Sequence, residues 1–174
     1  MNHKMWSRDK AEDNLIGVKN IETTLDIEAG RPMIFAMSGT DDGLGVVLPS
    51  SSTAAKIGAF TAGVAVRTLG AGKQGDCQVY GFNRNTKVVR GTRAASTDAW
   101  PSFAAFAIGD ILSVDSTNNC FGRFGAASNL AVKWPFVIAE ALASVTTMAS
   151  SVLGGNAASA TVYLQTAKSF IKMM

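Results

Sequence analysis

Side chains that could perform acid–base or nucleophilic chemistry are scarce in this sequence of 174 residues. His3 is the only histidine, which excludes a Ser-His-Asp triad, a Cys-His pair and sites with several histidine ligands. Asp110 and Glu140 form a carboxylate pair only if the fold brings them into contact, and acids that cap turns are the alternative. We therefore expect no enzyme and no catalytic residue.

The two cysteines and one glycine-rich segment complete the set of candidate chemical sites. Cys77 and Cys120 lie far apart and cannot supply a four-cysteine zinc site or a disulfide framework. Each is interpreted as a small apolar residue of a strand, and a disulfide between them is left open. Residues 70–75 have the Gly-x-Gly-x-x-Gly spelling of a dinucleotide loop, but 76–82 alternate like a strand, which predicts a hairpin turn. We expect no metal and no cofactor.

One stretch of the chain, residues 77–97, has basic residues and no acid. Its basic residues are Arg84, Lys87, Arg90 and Arg93. Such a stretch can bind an acidic protein surface or nucleic acid phosphates, and a solvated loop or strand face is the alternative. The net charge is only +3, and the basic part of the stretch, residues 84–93, has no aromatic residue to stack on bases, so we expect no nucleic acid partner.

Aromatic residues are concentrated in 98–106, where Trp100, Phe103 and Phe106 stand close together in sequence. Aromatic side chains at this density plug the end of a small barrel or line an oligomer interface, and a recognition loop is a further alternative. We take the three residues as candidates for an oligomer interface.

Short strands separated by turns with glycine or proline dominate the chain from residue 24 onward. Clear examples are 45–48, 63–69, 76–82, the turn and strand of 108–115, 136–141 and 160–165. This spacing is typical of a sandwich or barrel. Charged residues make up 17% and hydrophobic residues 47%, which argues against disorder. The longest apolar stretch, 130–149, is interrupted by charges and a proline, so we expect no membrane span. We predict an all-β, jelly-roll-like sandwich or barrel over residues 29–174.

The two halves of the chain show a loose duplication. Three pairs of segments occur in the same order, namely 29–32 with 108–111, 63–65 with 137–139, and 78–81 with 161–164. Two related β units explain this order, and chance similarity within a protein rich in glycine, alanine and valine is the alternative.

Residues 1–28 are predicted to form an extended N-terminal arm. The first 31 residues hold eleven charged side chains of both signs and no sustained apolar face. Apolar residues nevertheless occur there, at Trp6, Leu15, Ile16, Val18 and Ile21. They would be exposed in a frayed tail, so docking on a neighbouring subunit is the other interpretation.

Five stretches together resemble a known family: 46–52, 63–82, 108–115, 136–141 and 160–165. They combine glycine turns, apolar strands and a closing alternating strand in an order similar to that of the small capsid decoration (cement) proteins of tailed bacteriophages. The resemblance covers residues 29–166. The charged N-terminal part and the Trp100-Pro101 loop depart from the family, which leaves the mode of attachment open.

The resemblance implies a structural virion protein on the outer surface of a phage head, made in the host bacterial cytoplasm. Such proteins form homotrimers that cement neighbouring copies of the major capsid protein against the pressure of packaged DNA. The candidate capsid contacts are Trp6, Leu15, Ile16, Val18, Ile21, Arg84, Lys87, Arg90 and Arg93. The alternative is a β module of a tail or head fibre that binds glycan or a host surface, with Trp100, Phe103 and Phe106 as its stacking surface.

Overall fold

The computed structural model describes residues 14–36, 44–49, 61–92, 105–116, 118–124, 136–143 and 162–172. Within these ranges the chain forms strands and turns and no helix, which confirms the all-β class. The strands are β1 (Asn14–Asn20), β2 (Pro32–Phe35), β3 (Gly45–Val47), β4 (Thr61–Ala65), β5 (Gln74–Thr92), β6 (Ile111–Asp115), β7 (Cys120–Arg123), β8 (Phe136–Ile138) and β9 (Val162–Lys172).

The first four strands close into a barrel with the N-terminal part of β5. β1 pairs in parallel with β3, and β3 pairs antiparallel with β2. The ring continues antiparallel through β2–β4 and β4–β5, and β5 returns to β1. Closure satisfies the hydrogen-bonding edge of each strand by a neighbour in the ring. We call this ring the first barrel.

The remaining strands close a second ring on the C-terminal part of the same β5. β5 pairs in parallel with β7 and antiparallel with β9, and the antiparallel pairings β7–β6, β6–β8 and β8–β9 complete the second barrel. β5 is 19 residues long and is therefore a wall of both barrels. Tyr80, which pairs with both Asn14 and Lys172, marks the change from one barrel to the other.

The two barrels have the same topology strand for strand, because β1–β4 and the start of β5 correspond to the end of β5 and β6–β9. Hydrogen bonds recur at equivalent positions. The Gly30 N–H donates to the Ala65 carbonyl at 2.8 Å, and the Gly109 N–H donates to the Ile138 carbonyl at 2.9 Å. The prediction of two related β units is confirmed by this repeated pattern.

The repeat predicted from sequence aligns correctly only at its start. Segment 29–32 does correspond to 108–111, since Gly30 and Gly109 make equivalent bonds. Segment 63–65 is displaced by one residue against 137–139, because Ala65 matches Ile138.

The third predicted correspondence, of 78–81 with 161–164, is wrong. Lys19 of β1 lies opposite Gln74, and the equivalent Lys87 lies opposite Thr166. The residue of β9 that corresponds to Gln74 is therefore Thr166, which lies later in the chain than the predicted alignment places it.

Each barrel encloses its own core. The first is aliphatic and is built from Val18, Ile27, Met33, Val46, Leu48, Ala62, Ala65, Leu69 and Cys77. The second includes three aromatic residues and is built from Val88, Phe106, Leu112, Phe121, Phe136, Ile138, Leu142, Ala167 and Ile171, together with Val64 from β4. Equivalent positions hold Ile27 and Phe106, which form the matching bridges to Leu69 and Leu142. The same architecture is therefore filled by side chains of different size.

The predicted boundary of the arm at residue 28 is wrong for residues 14–28, which belong to the first barrel. Val18 is buried, and Ile27 is completely buried. Within residues 14–28 the charged side chains are exposed or half-buried, as at Asp26 and Glu28, while Val18 and Ile27 point into the core. Trp6 and the rest of residues 1–13 lie outside the described residues.

The arrangement of the sheet differs in one respect from the predicted jelly-roll-like form. A jelly roll consists of two facing sheets, whereas these strands close into two rings that share one strand. The small-barrel prediction is confirmed.

Candidate functional site

The basic residues predicted to form one contact surface lie on different faces of β5. A spacing of three residues along a strand places successive side chains on opposite faces, and a bulge between Asn83 and Thr86 shifts the register further. Arg84 is exposed, Lys87 is half-buried, and Arg90 is buried with 7% of its surface exposed. Arg84 and Lys87 are therefore available to a partner, and Arg90 is not.

Arg90 serves the interior of the second barrel. Its Nη2 group donates to the Ala143 carbonyl at 2.6 Å, and its guanidinium lies 5.1 Å from the centre of the Phe106 ring. A buried guanidinium of this kind holds loop and core together. The prediction that Arg90 contacts the capsid is thus wrong for this side chain, and Arg93 lies outside the described residues.

Phe106, predicted at an oligomer interface, is a core residue with 5% of its surface exposed. Its ring lies between the guanidinium groups of Arg90 and Arg123, at 5.1 and 5.7 Å. The interface prediction is wrong for Phe106. The alternative, that an aromatic residue of this segment fills the barrel, is the one that fits its position. Trp100 and Phe103 lie outside the described residues.

The apolar candidates of the N-terminal segment divide between core and surface. Val18 is in the core of the first barrel, and Ile16 packs against that core from a half-buried position. Ile21 is half-buried, and its N–H donates to the Val46 carbonyl at 3.0 Å. Leu15 keeps 48% of its surface exposed and remains a contact candidate.

The contact between the barrels centres on the 29–31 turn, which the sequence analysis did not single out as functional. Arg31 is buried at 6% exposure, and its Nη1 group donates to the carbonyls of Asn118 and Asn119, both at 3.0 Å. Its Nε group donates to Glu28 Oε2 at 3.0 Å. Arg31 therefore ties the first barrel to the β6–β7 turn of the second.

Gly30 makes the closest approach in this contact. Its carbonyl accepts the Lys87 N–H at 2.9 Å, and a Cβ atom at this position would lie 1.6 Å from the Asn85 carbonyl oxygen. Its φ of +82° is in the left-handed region that favours glycine. The matching glycines 30 and 109 indicate two equivalent turns in the sequence. They do not indicate that the turn at Gly30 contacts the other barrel, because that contact depends on residues distant in the chain.

A buried polar network occupies the middle of β5, near the change of partners. Asn83 Nδ2 donates to Gln78 Oε1 at 2.9 Å, and Thr86 Oγ1 donates to Asn83 Oδ1 at 3.3 Å. The Thr86 and Ser169 hydroxyls lie 2.5 Å apart. These hydroxyl and amide groups satisfy one another's hydrogen bonds and so stabilise the junction.

The cysteines are free and completely buried, in separate clusters. Burial raises the pKa of the Cys77 thiol to about 12, against a smaller lowering by its backbone hydrogen bond at Val64. Burial also raises the pKa of Cys120 to about 12, with the Asp115 charge acting in the same direction and the Arg31 charge opposing it. Thiols in this state are packing groups and poor nucleophiles.

The two acids considered as a catalytic pair, Asp110 and Glu140, bind different groups. Asp110 accepts the Ala107 N–H at 2.9 Å and forms an ion pair with Arg123 at 3.1 Å, whereas Glu140 accepts the Lys168 N–H at 2.6 Å. Among the described residues, no group of three or more His, Cys, Asp or Glu side chains is placed to hold a metal ion. In the same part of the chain, no helix has the length and apolar character needed to cross a membrane.

An open groove with a volume of about 570 Å³ lies beside β1. Its lining includes Gly17, Lys19, Leu44 and Asp76. We call it the β1 groove.

Comparison with known proteins identifies no relative. No protein-family model matches the chain, and neither a curated protein nor a solved structure matches it.

Proposed function

We propose that this chain is a structural virion protein that binds the outer surface of a phage head as a homotrimer and cements neighbouring copies of the major capsid protein. The observation that carries the proposal is the duplicated barrel. Two copies of one unit present related surfaces twice, which suits attachment to a lattice that repeats. Linked contacts of this kind gain affinity through effective concentration, so that each individual contact can be small.

The exposed side chains suit such a contact surface. Large apolar residues are exposed at Leu15, Leu25, Leu44, Ile108 and Ile111. Arg84 and Lys87 add positive charge on the outside of β5 for an acidic capsid surface. Val18, Arg90 and Phe106 are left out of the contact set because they are buried.

A glycan-binding module of a tail or head fibre is the weaker candidate. It requires stacking by Trp100, Phe103 and Phe106, and the ring of Phe106 is in the core. No described residue favours this function.

The first test is the copy number of the chain in purified source particles, measured by quantitative mass spectrometry. We expect about one copy per major capsid protein, because a decorated lattice repeats the contact at every subunit. A few copies per particle would instead indicate a tail or fibre module, and absence from particles would refute both virion functions.

The second test measures binding to undecorated shells by co-sedimentation. We expect Arg84→Glu to weaken binding roughly tenfold or more, since it reverses a charge on the proposed surface. The matched control is Lys73→Glu, which reverses an exposed charge in the turn before β5 and should bind like the wild type. Equal binding by all three proteins would remove β5 from the contact surface.

A further inference from the structure

The contact between the barrels joins a turn of one barrel to a surface of the other, and both parts have an equivalent elsewhere in the chain. The 29–31 turn of the first barrel fits against the second barrel, where its seat is formed by β5 at Asn85 and Lys87 and by the carbonyls of Asn118 and Asn119. A turn and a seat on different faces form a head-to-tail contact, in which the two surfaces differ. Since the barrels repeat, each should carry one turn and one seat.

The equivalent turn of the second barrel, 108–110, has no described residue covering it. Gly109 has φ of +92°, close to that of Gly30, but no described atom lies within 4 Å of a Cβ placed on it. Ile108 is 71% exposed, and Ile111 is 43% exposed. By contrast, Gly30 is buried at the corresponding place.

The equivalent seat on the first barrel is the β1 groove. Lys19 lies opposite Gln74 as Lys87 lies opposite Thr166, so the groove strand matches the seat strand.

The second wall of the groove matches as well. Leu44 stands two residues before Val46, the parallel partner of Asn20, as Asn119 stands two residues before Phe121, the parallel partner of Val88. The groove thus occupies the position that the 29–31 turn covers on the second barrel.

We propose that the chain associates head to tail with further copies of itself, with the 108–110 turn of one copy seated in the β1 groove of the next. Ile108 then packs on Leu44, which is 60% exposed and lines the groove. Within the chain, the Lys87 N–H donates to the Gly30 carbonyl. The equivalent Lys19 N–H already donates to the Leu44 carbonyl, so the contact between copies is made by side chains and lacks this backbone hydrogen bond. Repeated head-to-tail contacts close as a ring or grow as a filament.

This inference deepens the homotrimer part of the proposed function, and the two can fail separately. It concerns the purified chain alone, without a capsid. A monomeric chain that still binds shells would refute the self-association, and a self-associating chain that never binds shells would refute only the proposed function.

The test is sedimentation velocity of the full chain over a concentration series reaching about 1 mM. We expect oligomers that grow with concentration. Ile108→Glu damages the turn, and Gly17→Arg fills the groove without a clash, because no described atom lies within 4 Å of a Cβ on Gly17. Each variant should weaken self-association at least tenfold. Leu44→Glu is a second groove variant, and Leu25→Glu, an exposed leucine outside both surfaces, is the control.

Mixing the two damaged proteins distinguishes a head-to-tail contact from a symmetric one. Ile108→Glu keeps an intact groove, and Gly17→Arg keeps an intact turn, so an equimolar mixture should form heterodimers that stop at two chains. A wild type that stays monomeric would overturn the proposal. So would oligomers that both variants leave unchanged, or a mixture that gives no heterodimer although each variant retains the wild-type circular dichroism.

Discussion

Gly30 and Gly109 share a left-handed backbone at equivalent turns and differ in their surroundings. We expect Gly109→Ala to cost about 1 kcal/mol of unfolding free energy, which is the strain of a side chain at positive φ. Gly30→Ala should cost about 3 kcal/mol, because its Cβ also meets the Asn85 carbonyl oxygen. Chemical denaturation of both variants measures the difference. Equal losses would show that the barrels do not approach each other at Gly30.

The two buried thiols make stability depend on pH above the neutral range. An unfolded cysteine ionises near pH 8.5, whereas burial raises the pKa of Cys77 and Cys120 to about 12 in the fold. The unfolded state therefore loses thiol protons first, so stability is full below about pH 8.5 and falls as the pH rises toward 12.

The measurement is the denaturant midpoint between about pH 7 and pH 10. The control is the double variant Cys77→Ala and Cys120→Ala, whose midpoint should fall less steeply with pH because it lacks both buried thiols. Parallel curves for the two proteins would contradict the buried placement of the thiols.

At the scale of elements, β1 closes the first barrel, so the place at which the chain is truncated matters. Deleting residues 1–13 leaves β1 intact, whereas deleting 1–22 removes it, so that β3 keeps only β2 and the start of β5 keeps only β4 as a partner. We expect the first truncation to retain the wild-type thermal midpoint and the second to unfold the first barrel. Cys77, which lies opposite Ile16 of β1, should then react rapidly with a thiol reagent.

The same pair of truncations tests the shortened arm. If the arm attaches the chain to the capsid, deletion of 1–13 should weaken shell binding although the protein is folded. Full affinity of this truncation would refute the arm as an attachment device. A folded 1–22 truncation with an unreactive Cys77 would refute the assignment of β1.

Strands whose two faces differ in polarity could be predicted from the sequence, and the others could not. The start of β5 was recognised because 76–82 alternate, but its second half buries polar groups at Asn83, Thr86 and Arg90. These groups bond inside the protein, so the apolar alternation that marks a strand is missing there. The alternation at 160–165 predicts a strand there, and β9 continues beyond it to Lys172.

At the scale of the whole molecule, the sequence indicates that the chain is duplicated, but most equivalent residues of the two halves could not be matched from it. The aligned part is the pair of glycine turns, where backbone geometry demands the same residue type. Equivalent core positions do not require the same residue type, since Ile27 corresponds to Phe106 and Val46 to Phe121. The contact between barrels depends on Arg31 reaching carbonyls 87 and 88 positions away, which no local pattern reports.

The shared strand β5 also sets an order of events during synthesis. Every partner of its N-terminal half has left the ribosome by the time β5 itself appears, so the first barrel can close while the second is unmade. The other half of β5 then waits as an open edge until β7 and β9 emerge, and open edges pair with other nascent chains. Arg84 and Lys87 place positive charge on that waiting edge, where like charges on neighbouring chains repel. We therefore expect Arg84 and Lys87 to reduce pairing between nascent chains before β7 and β9 are made.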